Sequence, residues 1–282
     1  MASVMWNIHG LNASSKCDAL HNKIDESNCS IICLQETKKL EFDHSFIRKC
    51  CPRRFDKFEF IPSDGASGSI VIIWCSSQFL GQIIHQFSFS ITIKMTSVQT
   101  NESWLLSNIY GSCDGPERVM FIAWMENINI ETEDLWLFMG DFNFMRSLDN
   151  RNLPGGNVDD VIKFNEIISH LGLLEIPIKG RRYTWINMQE TPLLEQLDWF
   201  FSSLEWILKF PNTIAKPLAR PISDHVPCVL SVETSIPRSK LFRFENFWPS
   251  HPGFLEVVKS SRNAPIKASS SATRISAKLK RM

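Results

Sequence analysis

Polar residues occur where several short apolar segments of the chain begin or end, and their side chains are of types that bind cations or move protons. They are Asn7, Glu36, Tyr110, Asp141, Asn143, Asp224 and His225. Strand ends in layered α/β folds converge on one edge, where sites are built. A carboxylate there is costly unless it binds a cation or accepts hydrogen bonds. Three carboxylates with amides and an imidazole therefore predict a divalent-metal site, and oxygen donors favour Mg²⁺ or Mn²⁺ over Zn²⁺.

Each of these residues, taken alone, also has an ordinary structural interpretation. Asn7 is typical of a turn or a cap, and Asp141 with Asn143 is typical of an Asx turn. Glu36 suits a solvated position or the first turn of a helix. The ordered set is harder to explain in this way, because every member falls at a predicted strand boundary.

The elements that must position these residues are short apolar segments bounded by polar or glycine positions. Residues 3–8, 30–34, 69–74, 104–109 and 135–139 predict buried strands. Residues 87–96 alternate strictly between apolar and polar side chains, which predicts a strand with one face in water.

Helical spacing of apolar residues appears between the predicted strands. Ser14 or Ser15 is a possible cap for one helix, Pro116 suits the first turn of a second, and Asp159 precedes a third that Gly172 would end. A capping-box pattern near Ser203 predicts a fourth, short helix. Strands and helices mix without strict βαβ alternation, so the predicted class is α/β with mixed sheets.

Composition sets limits on the class of protein. The chain has 282 residues, 44% of them apolar and 21% charged, which fits one large or two small globular domains. No apolar run reaches the length of about 18–20 residues needed for a membrane span, and no secretory signal is evident. The expected location is therefore the nucleus or the cytoplasm, and all eight cysteines are expected to be reduced thiols in such a compartment.

The charge is unevenly distributed. Basic and acidic residues number 30 each, but six basic and no acidic residues lie in 262–282, which leaves 24 basic against 30 acidic residues in the rest. A net-negative body does not indicate general nucleic-acid binding, although it suits a site that gathers carboxylates around a cation. The basic tail is expected to be disordered, and could contact nucleic acid or act as a nuclear address.

Six short segments, taken in order, resemble the motifs of the endonuclease/exonuclease/phosphatase family. They are Trp6-Asn7-Ile8-His9-Gly10, Leu34-Gln35-Glu36-Thr37, Asn108-Ile109-Tyr110-Gly111, Gly140-Asp141-Phe142-Asn143, Leu197-Asp198 and Ser223-Asp224-His225. Within that family the chain resembles the endonuclease of plant non-LTR (LINE-type) retrotransposons. The segments that narrow the likeness are Gly180-Arg181-Arg182-Tyr183-Thr184-Trp185, Asp198 followed by Trp-Phe-Phe-Ser-Ser, and Leu241-Phe242-Arg243-Phe244-Glu245-Asn246-Phe247-Trp248.

The resemblance implies a fold and a domain organisation. The implied fold is a four-layer α/β sandwich, with two mixed β-sheets packed face to face and helices outside. The implied organisation is an endonuclease/exonuclease/phosphatase domain over 1–232, a connector over 233–261 like the segment before a reverse transcriptase, and the basic tail over 262–282. The family likeness covers roughly residues 3–261.

The resemblance also implies a Mg²⁺-dependent phosphodiesterase, with Mn²⁺ as a possible alternative ion, and a role for each site residue. The implied metal residues are Glu36, Asn7 and Asp224; the implied catalytic residues are Asp141, Asn143, His225, Tyr110 and Asp198. Asp141 would orient or deprotonate the attacking water with help from Asn143. His225, oriented by Asp198, would contact the scissile phosphate, and Tyr110 would touch the phosphate or assist the leaving oxygen. One metal or two remain open.

DNA is the expected partner, and local basic patches must contact it. Arg181, Arg182 and Tyr183 place phosphate-binding charge beside a stacking surface, and are the predicted nucleic-acid contacts. A second basic cluster spans residues 48–57 and is a weaker candidate. His9 is a departure from the family pattern, because related retrotransposon enzymes often have Arg there and abasic-site enzymes Asp.

The expected function is a DNA-nicking endonuclease of a truncated non-LTR retrotransposon, acting as a monomer away from membranes and without a reverse-transcriptase portion in this chain. One alternative is a phosphatase or phosphodiesterase that acts on a small molecule or lipid, which the acidic body favours. Another is a catalytically inactive relic of such an element.

Overall fold

The apolar segments form strands in the computed structural model, which describes residues 1–64, 67–113, 115–131, 134–232 and 253–263. The chain divides into two compact units, Met1–Ser235 and Ile236–Met282. No helix within the described ranges is both long and apolar enough to cross a lipid bilayer.

Strands and helices alternate irregularly along the first unit. The strands are β1 (Ala2–Asn7), β2 (Ile31–Gln35), β3 (Lys57–Asp64), β4 (Ser67–Trp74), β5 (Phe79–Phe87), β6 (Ser90–Ser97), β7 (Ser103–Tyr110), β8 (Trp136–Asp141), β9 (Leu174–Glu175), β10 (Trp185–Ile186), β11 (Leu194–Glu195), β12 (Asp198–Ser202), β13 (Ile214–Pro217) and β14 (Cys228–Ser231). The helices are α1 (Ser14–Ser27), α2 (His44–Cys50), α3 (Gly115–Glu126), α4 (Val158–His170) and α5 (Leu204–Lys209).

Two six-stranded mixed sheets form the centre of this unit. The first has the strand order β13-β14-β1-β2-β4-β3, and the second has the order β5-β6-β7-β8-β12-β9. Only the pairs β1–β2 and β7–β8 are parallel among the neighbours described in these two sheets. The strands β10 and β11 form a separate antiparallel hairpin.

Three buried apolar clusters define four layers. The central cluster joins the inner faces of both sheets, through residues such as Met5, Ile72 and Leu106. A second cluster packs α1 and α2 on the outer face of the first sheet, and a third packs α3 and α4 on the outer face of the second. The predicted four-layer α/β sandwich is confirmed.

The central strands of the two sheets are mostly apolar because both of their faces are covered. In β1, Met5 lies in the central cluster while its neighbours Val4 and Trp6 lie in the cluster beneath α1. Successive side chains of a strand point to opposite faces, so a strand between two apolar layers needs apolar residues on both sides.

The prediction of one strand with a wet face over 87–96 is wrong. A turn separates β5, which ends at Phe87, from β6, which begins at Ser90. Ser90 and Thr92 are buried, and the Thr92 hydroxyl lies 2.7 Å from that of Ser107 on β7. The alternation persists because a polar hydroxyl can be buried when a neighbouring strand supplies its hydrogen-bond partner.

The predicted helices are present, but some of their caps differ from the prediction. Ala13 rather than a serine precedes α1, and the Asn157 side chain caps α4. Ser203 precedes α5 without capping it, because its hydroxyl donates to the carbonyl oxygen of Asp134 instead.

The expectation that all eight cysteines are reduced is wrong for two of them. Cys17 on α1 and Cys50 on α2 form a disulfide inside the outer apolar cluster. Sequence spacing did not indicate this pair, because the two helices meet only through tertiary packing. Cys33, Cys75 and Cys228 are buried thiols, as their apolar surroundings predicted.

The predicted connector and tail lie mostly outside the described residues. The second unit contains one described helix, α6 (Phe254–Asn263), which the sequence had not indicated. Leu255 and Val257 are exposed on it. The helix runs across the predicted boundary between connector and tail at residues 261 and 262.

Candidate active site

The ends of the two parallel strand pairs bring the predicted site residues to one edge. Asn7 ends β1, and Glu36 directly follows β2, whose last residue Gln35 pairs with Asn7. Tyr110 and Asp141 end β7 and β8 as direct neighbours. Neighbouring parallel strands have their C-terminal ends at the same edge of a sheet, so each pair places two functional residues next to one another.

The amide of Asn7 links the two sheets. Its Nδ2 donates to Glu36 Oε1 at 2.8 Å and to Asp141 Oδ2 at 2.9 Å, and the residue is fully buried. Its Oδ1 accepts a hydrogen bond from the backbone N–H of His9 at 3.1 Å. Asn7 therefore uses both donor hydrogens to hold two carboxylates from different sheets within reach of one another.

A buried triad of Asp198, His225 and Asp141 lies beside this link. His225 Nδ1 lies 2.8 Å from Asp198 Oδ2, and its Nε2 lies 3.5 Å from Asp141 Oδ2. Asp198 begins β12 directly opposite Asp141 on β8, and this register fixes the separation of the two acids. All three residues are almost completely buried, and their ligand atoms lie within 4.8 Å of one another.

The electrostatics of the buried triad favour a charged imidazole. Burial alone would lower the pKa of His225, but the carboxylates of Asp198 and Asp141 raise it to about 10. The imidazole is therefore protonated at neutral pH. Burial raises the pKa of Asp141 to about 7, against the opposing effects of the His225 charge and the Asn7 hydrogen bond.

Asn143 fixes the orientation of the Asp141 carboxylate. Its backbone N–H donates to Asp141 Oδ1 at 3.0 Å, and its Nδ2 lies 3.3 Å from Asp141 Oδ2 and 2.8 Å from the Gly111 carbonyl oxygen. Asn143 has a positive φ of 54°, which asparagine tolerates better than most residues. A Cβ atom at Gly140 would clash with the carbonyl oxygen of Ile109, so β8 can approach β7 here only with glycine.

An open acid group, formed by Glu36, Asp224 and His9, adjoins Asn7 through Glu36. His9 Nδ1 lies 3.4 Å from Glu36 Oε2 and 3.6 Å from Asp224 Oδ1. The indole of Trp185 donates to Asp224 Oδ2 at 3.0 Å. Although burial opposes ionisation, the charges of His225 and His9 and the Trp185 hydrogen bond lower the pKa of Asp224.

Tyr110 faces the same acids with a protonated hydroxyl. Burial, together with the charges of Glu36 and Asp141 and a hydrogen bond with Glu36, raises the pKa of the phenol far above its usual value. Tyr110 can therefore only donate or accept a hydrogen bond here, and it does not lose its proton at any physiological pH.

No family model matches the chain. Solved structures resemble it over most of its length. An AP endonuclease, LMAP from Leishmania major, superposes with a TM-score of 0.63 over 81% of this chain and 86% of its own, at 17% sequence identity. The endonuclease domain of TRAS1, a telomere-specific non-LTR retrotransposon, has a TM-score of 0.60 over 83% of this chain and 99% of its own, at 11% identity.

The chain has the endonuclease/exonuclease/phosphatase fold. A sequence relative is a Xenopus laevis protein described as the transposon TX1 uncharacterized 149 kDa protein, which is 22% identical over 174 residues. The match covers 58% of this chain but only 13% of that relative. The chain thus corresponds in sequence to a small part of a much longer transposon protein.

The polar edge of this endonuclease/exonuclease/phosphatase fold opens into a cavity of about 420 Å³. Its lining includes Glu36, Tyr110, Asn143, Asp224 and His225. A larger cavity of about 610 Å³ lies beside α3 and the outer face of β6 and β7, and none of these site residues lines it. We assign the chemistry to the smaller cavity, because that is where the titratable groups converge.

The open acid group is better suited to a cation than the buried triad. Both ring nitrogens of His225 already face carboxylates, and its positive charge offsets theirs, so an ion would have to displace a proton. In the open acid group two carboxylates face a cavity, and carboxylate oxygens suit Mg²⁺ or Mn²⁺. The residues present therefore fit the metal that this fold implies.

The predicted DNA-contacting residues lie on the segment before β10. Arg181 and Arg182 are exposed, and the Arg182 guanidinium lies 5.4 Å from the centre of the Tyr183 ring. Arg182 also donates to the carbonyl oxygen of Asp149 at 2.6 Å. Trp185, two residues further on, reaches Asp224, so the segment adjoins the site.

The second basic cluster lies away from the site. Lys57 on β3 pairs with Trp74 on β4, and Trp74 pairs in turn with Ile31 at the start of β2. Glu36 follows the opposite end of β2. Each residue of a strand spans about 3.3 Å. The cluster therefore lies near one end of the strands of the first sheet, and the acids lie near the other end.

Several contributing residues were not predicted. Arg118 lines the cavity, where it donates to the Asn143 carbonyl oxygen at 3.1 Å and pairs with Asp160 at 2.8 Å. Ser223 donates to the Asn7 carbonyl oxygen at 2.7 Å and accepts from the backbone N–H of His225 at 3.1 Å. The only sequence signal was the position of Ser223 in the Ser-Asp-His motif and of Arg118 in the helix after Tyr110.

A buried amide pair lies beneath the site and was also not predicted. The Gln35 side-chain amide donates to Asn108 Oδ1, and Asn108 Nδ2 donates to the carbonyl oxygens of Leu34 at 3.1 Å and Val71 at 3.0 Å. The pair connects β2 and β4 to β7 directly below Glu36 and Tyr110. Polar residues within otherwise apolar strands were the signal that could have identified it.

Proposed function

We propose that the chain is a metal-dependent phosphodiesterase that nicks DNA, as the endonuclease portion of a non-LTR retrotransposon. The observation that carries this proposal is the Asn7 amide, which holds Glu36 and Asp141 together beside the charged His225. Phosphodiester cleavage places negative charge on phosphate oxygens, and such a site offers cationic stabilisation and a base in one cavity.

Glu36 and Asp224 would hold the metal ion, and Asn7 would keep Glu36 in place. A bound Mg²⁺ or Mn²⁺ ion would supply Lewis-acid stabilisation of the charge that develops on the phosphate. Trp185 restrains Asp224 through its indole N–H, as the Asn7 amide restrains Glu36.

His225 would donate a charged hydrogen bond to the scissile phosphate. Asp198 accepts from Nδ1, which leaves the proton on Nε2 directed toward Asp141 and the cavity. Because its pKa is about 10, the imidazole keeps this proton throughout the neutral range. A donor that is already oriented and charged needs no reorganisation as the transition state forms.

Asp141 would position the attacking water and accept its proton. Asn143 and Asn7 orient its carboxylate, and its pKa of about 7 is close to the value that suits a general base at neutral pH. Tyr110, protonated at all relevant pH values, would donate a hydrogen bond to the phosphate or the leaving oxygen.

DNA is the proposed substrate because cationic and aromatic groups adjoin the cavity. Arg181 and Arg182 would contact phosphates, and Tyr183 offers a surface for stacking. The likeness to the TRAS1 endonuclease domain and to a transposon protein supports this choice over a small phosphate ester. One chain supplies every residue of the proposed site, so we propose that it acts as a monomer.

A nicking assay on supercoiled plasmid tests the proposal. Purified protein with Mg²⁺ should convert supercoiled to open-circular DNA, and EDTA or the Asp141→Asn substitution should abolish the conversion. Turnover of a soluble phosphodiester without plasmid nicking would favour the small-molecule alternative. Equal cleavage by the wild type and Asp141→Asn would favour an inactive relic.

A further inference from the structure

His9 contacts both acids of the proposed metal site. Its Nδ1 lies 3.4 Å from Glu36 Oε2 and 3.6 Å from Asp224 Oδ1, between the two carboxylates. The His9 side chain is 50% exposed, whereas those of Glu36 and Asp224 are 15% and 21% exposed.

The backbone holds His9 in this position. Its φ of 48° is in the left-handed region, and Gly10 follows with a φ of 92°. The ammonium of Lys16 donates to the carbonyl oxygens of Ile8 at 2.6 Å and His9 at 3.2 Å, and Asn7 Oδ1 accepts from the His9 N–H. A strained conformation that several contacts maintain is typical of functional positions.

The geometry points to His9 as a nitrogen ligand that completes a cation site with Glu36 and Asp224, and that makes this site prefer a later first-row ion such as Co²⁺ to Mg²⁺. This inference rests on the proposed metal dependence. Mg²⁺ is a hard cation that binds oxygen ligands, whereas imidazole suits the later divalent ions, whose affinity rises along the first row. One nitrogen in the set shifts the preference toward those ions.

The Lys38 ammonium contacts the imidazole of His9, and it must move away from this ring when an ion binds Nδ1. Its Nζ lies 3.2 Å from His9 Nε2 and 4.0 Å from Glu36 Oε2. A ligand at Nδ1 requires the ring proton to be on Nε2, which cannot then accept from the ammonium. The His9–Lys38 contact is exposed to solvent, so this rearrangement stays at the surface.

Pulsed electron paramagnetic resonance of the Mn²⁺-loaded full chain tests the assignment directly, because a coordinated imidazole gives a ¹⁴N coupling. We expect this coupling in the wild type and its loss in His9→Asn, which retains a residue that tolerates positive φ. His21→Asn is the matched control, since His21 also faces a carboxylate, Asp25, at 3.3 Å but lies on α1 outside the cavity.

Calorimetric titration gives the second readout. His9→Asn should weaken Co²⁺ binding by about 10-fold or more while changing Mg²⁺ binding less than 2-fold, so that the preference for Co²⁺ over Mg²⁺ is lost. Absence of ¹⁴N coupling in the wild type would overturn the inference. Coupling that persists in His9→Asn would also overturn it, because the ion would then be on another histidine such as His225.

These measurements test the assignment of His9 as a ligand independently of the proposed nuclease activity. Plasmid nicking without ¹⁴N coupling would leave the nuclease proposal intact and reject His9 as a ligand. Coupling that depends on His9 in a protein without nicking activity would establish the cation site and reject the nuclease proposal.

Discussion

The buried triad and the open acid group share the Asn7 link but differ in how their charges are balanced. In the triad, the imidazolium of His225 lies between two carboxylates and away from solvent. In the open group, two acids face a cavity, with a half-exposed imidazole between them and the Lys38 ammonium 4.0 Å from Glu36 Oε2. Protein groups thus balance the charges of the first, whereas the second retains acidic charge for a ligand to neutralise.

The buried triad is therefore preorganised for the substrate, whereas the open acid group depends on binding a cation. The triad has its hydrogen bonds and charges in place before any substrate arrives, which is the arrangement that stabilises a transition state without reorganisation. A bound divalent ion would stabilise the open acid group, because the ion would remove the electrostatic repulsion between its two acids. Substitutions in the two regions should therefore give different kinds of loss.

The largest expected effect is that of Asp141→Asn. The substitution keeps the shape of the side chain but removes the base and the charge nearest His225 Nε2. We expect plasmid nicking to fall by about 10³-fold or more, since such groups act as a unit. Gel quantification of open-circular DNA measures the rate, and circular dichroism confirms that the variant folds. A loss below 10-fold would contradict the proposed role of the triad.

A smaller effect, dependent on pH, is expected for Asp198→Asn. The neutral amide removes the largest of the carboxylate effects that raise the pKa of His225, while burial continues to lower it. The imidazole should then lose its proton within the neutral range, so the nicking rate should be about 10²-fold below that of the wild type at pH 8, and this difference from the wild type should become smaller as the pH falls. A pH–rate profile unchanged in shape would be inconsistent with a charged His225.

The same substitution makes a prediction about stability. The folded-state pKa of His225, about 10, lies above its unfolded value near 6.5. Its contribution to the free energy of unfolding is therefore fully present below pH 6.5 and is lost as the pH rises toward 10. Urea unfolding of the wild type and of Asp198→Asn at pH 6 and pH 9 should show the difference between them shrinking at the higher pH.

The smallest expected effect is the increase in thermal stability when a metal ion binds. An ion that binds only the folded state at 100 times its dissociation constant adds about 2.7 kcal/mol, which should raise Tm by roughly 5–10 °C. We expect this shift in the wild type and in Asp198→Asn, and its loss in Glu36→Gln.

A matched carboxylate outside the cavity serves as the control for this measurement. Asp25→Asn on α1 also removes an acid that faces a histidine, and it should leave the Mn²⁺ shift unchanged. If Asp198→Asn lost the shift and Glu36→Gln kept it, the ion would bind the buried triad, and the division between the two regions would be wrong.

Much of the candidate site could be predicted because its residues lie at the ends of short apolar segments. The segment 31–35 has no polar face, so it must be buried on both sides, and Glu36 is the first residue at its end. The same reasoning located Asp141 after 135–140. It failed for Ser90 and Thr92, because hydroxyls that pair across strands can be buried like apolar groups.

Local sequence determined approximately where β1, β2, β4, β7 and β8 start and stop, because a strand covered by apolar layers on both faces needs a nearly continuous apolar run and ends where that run is broken. Only the tertiary structure decided which of those ends meet. The Asn7 amide reaches Asp141 across 134 residues, His9 faces Asp224, and Cys17 meets Cys50. These contacts depend on strand register and sheet packing, which are set by interactions between segments rather than within them.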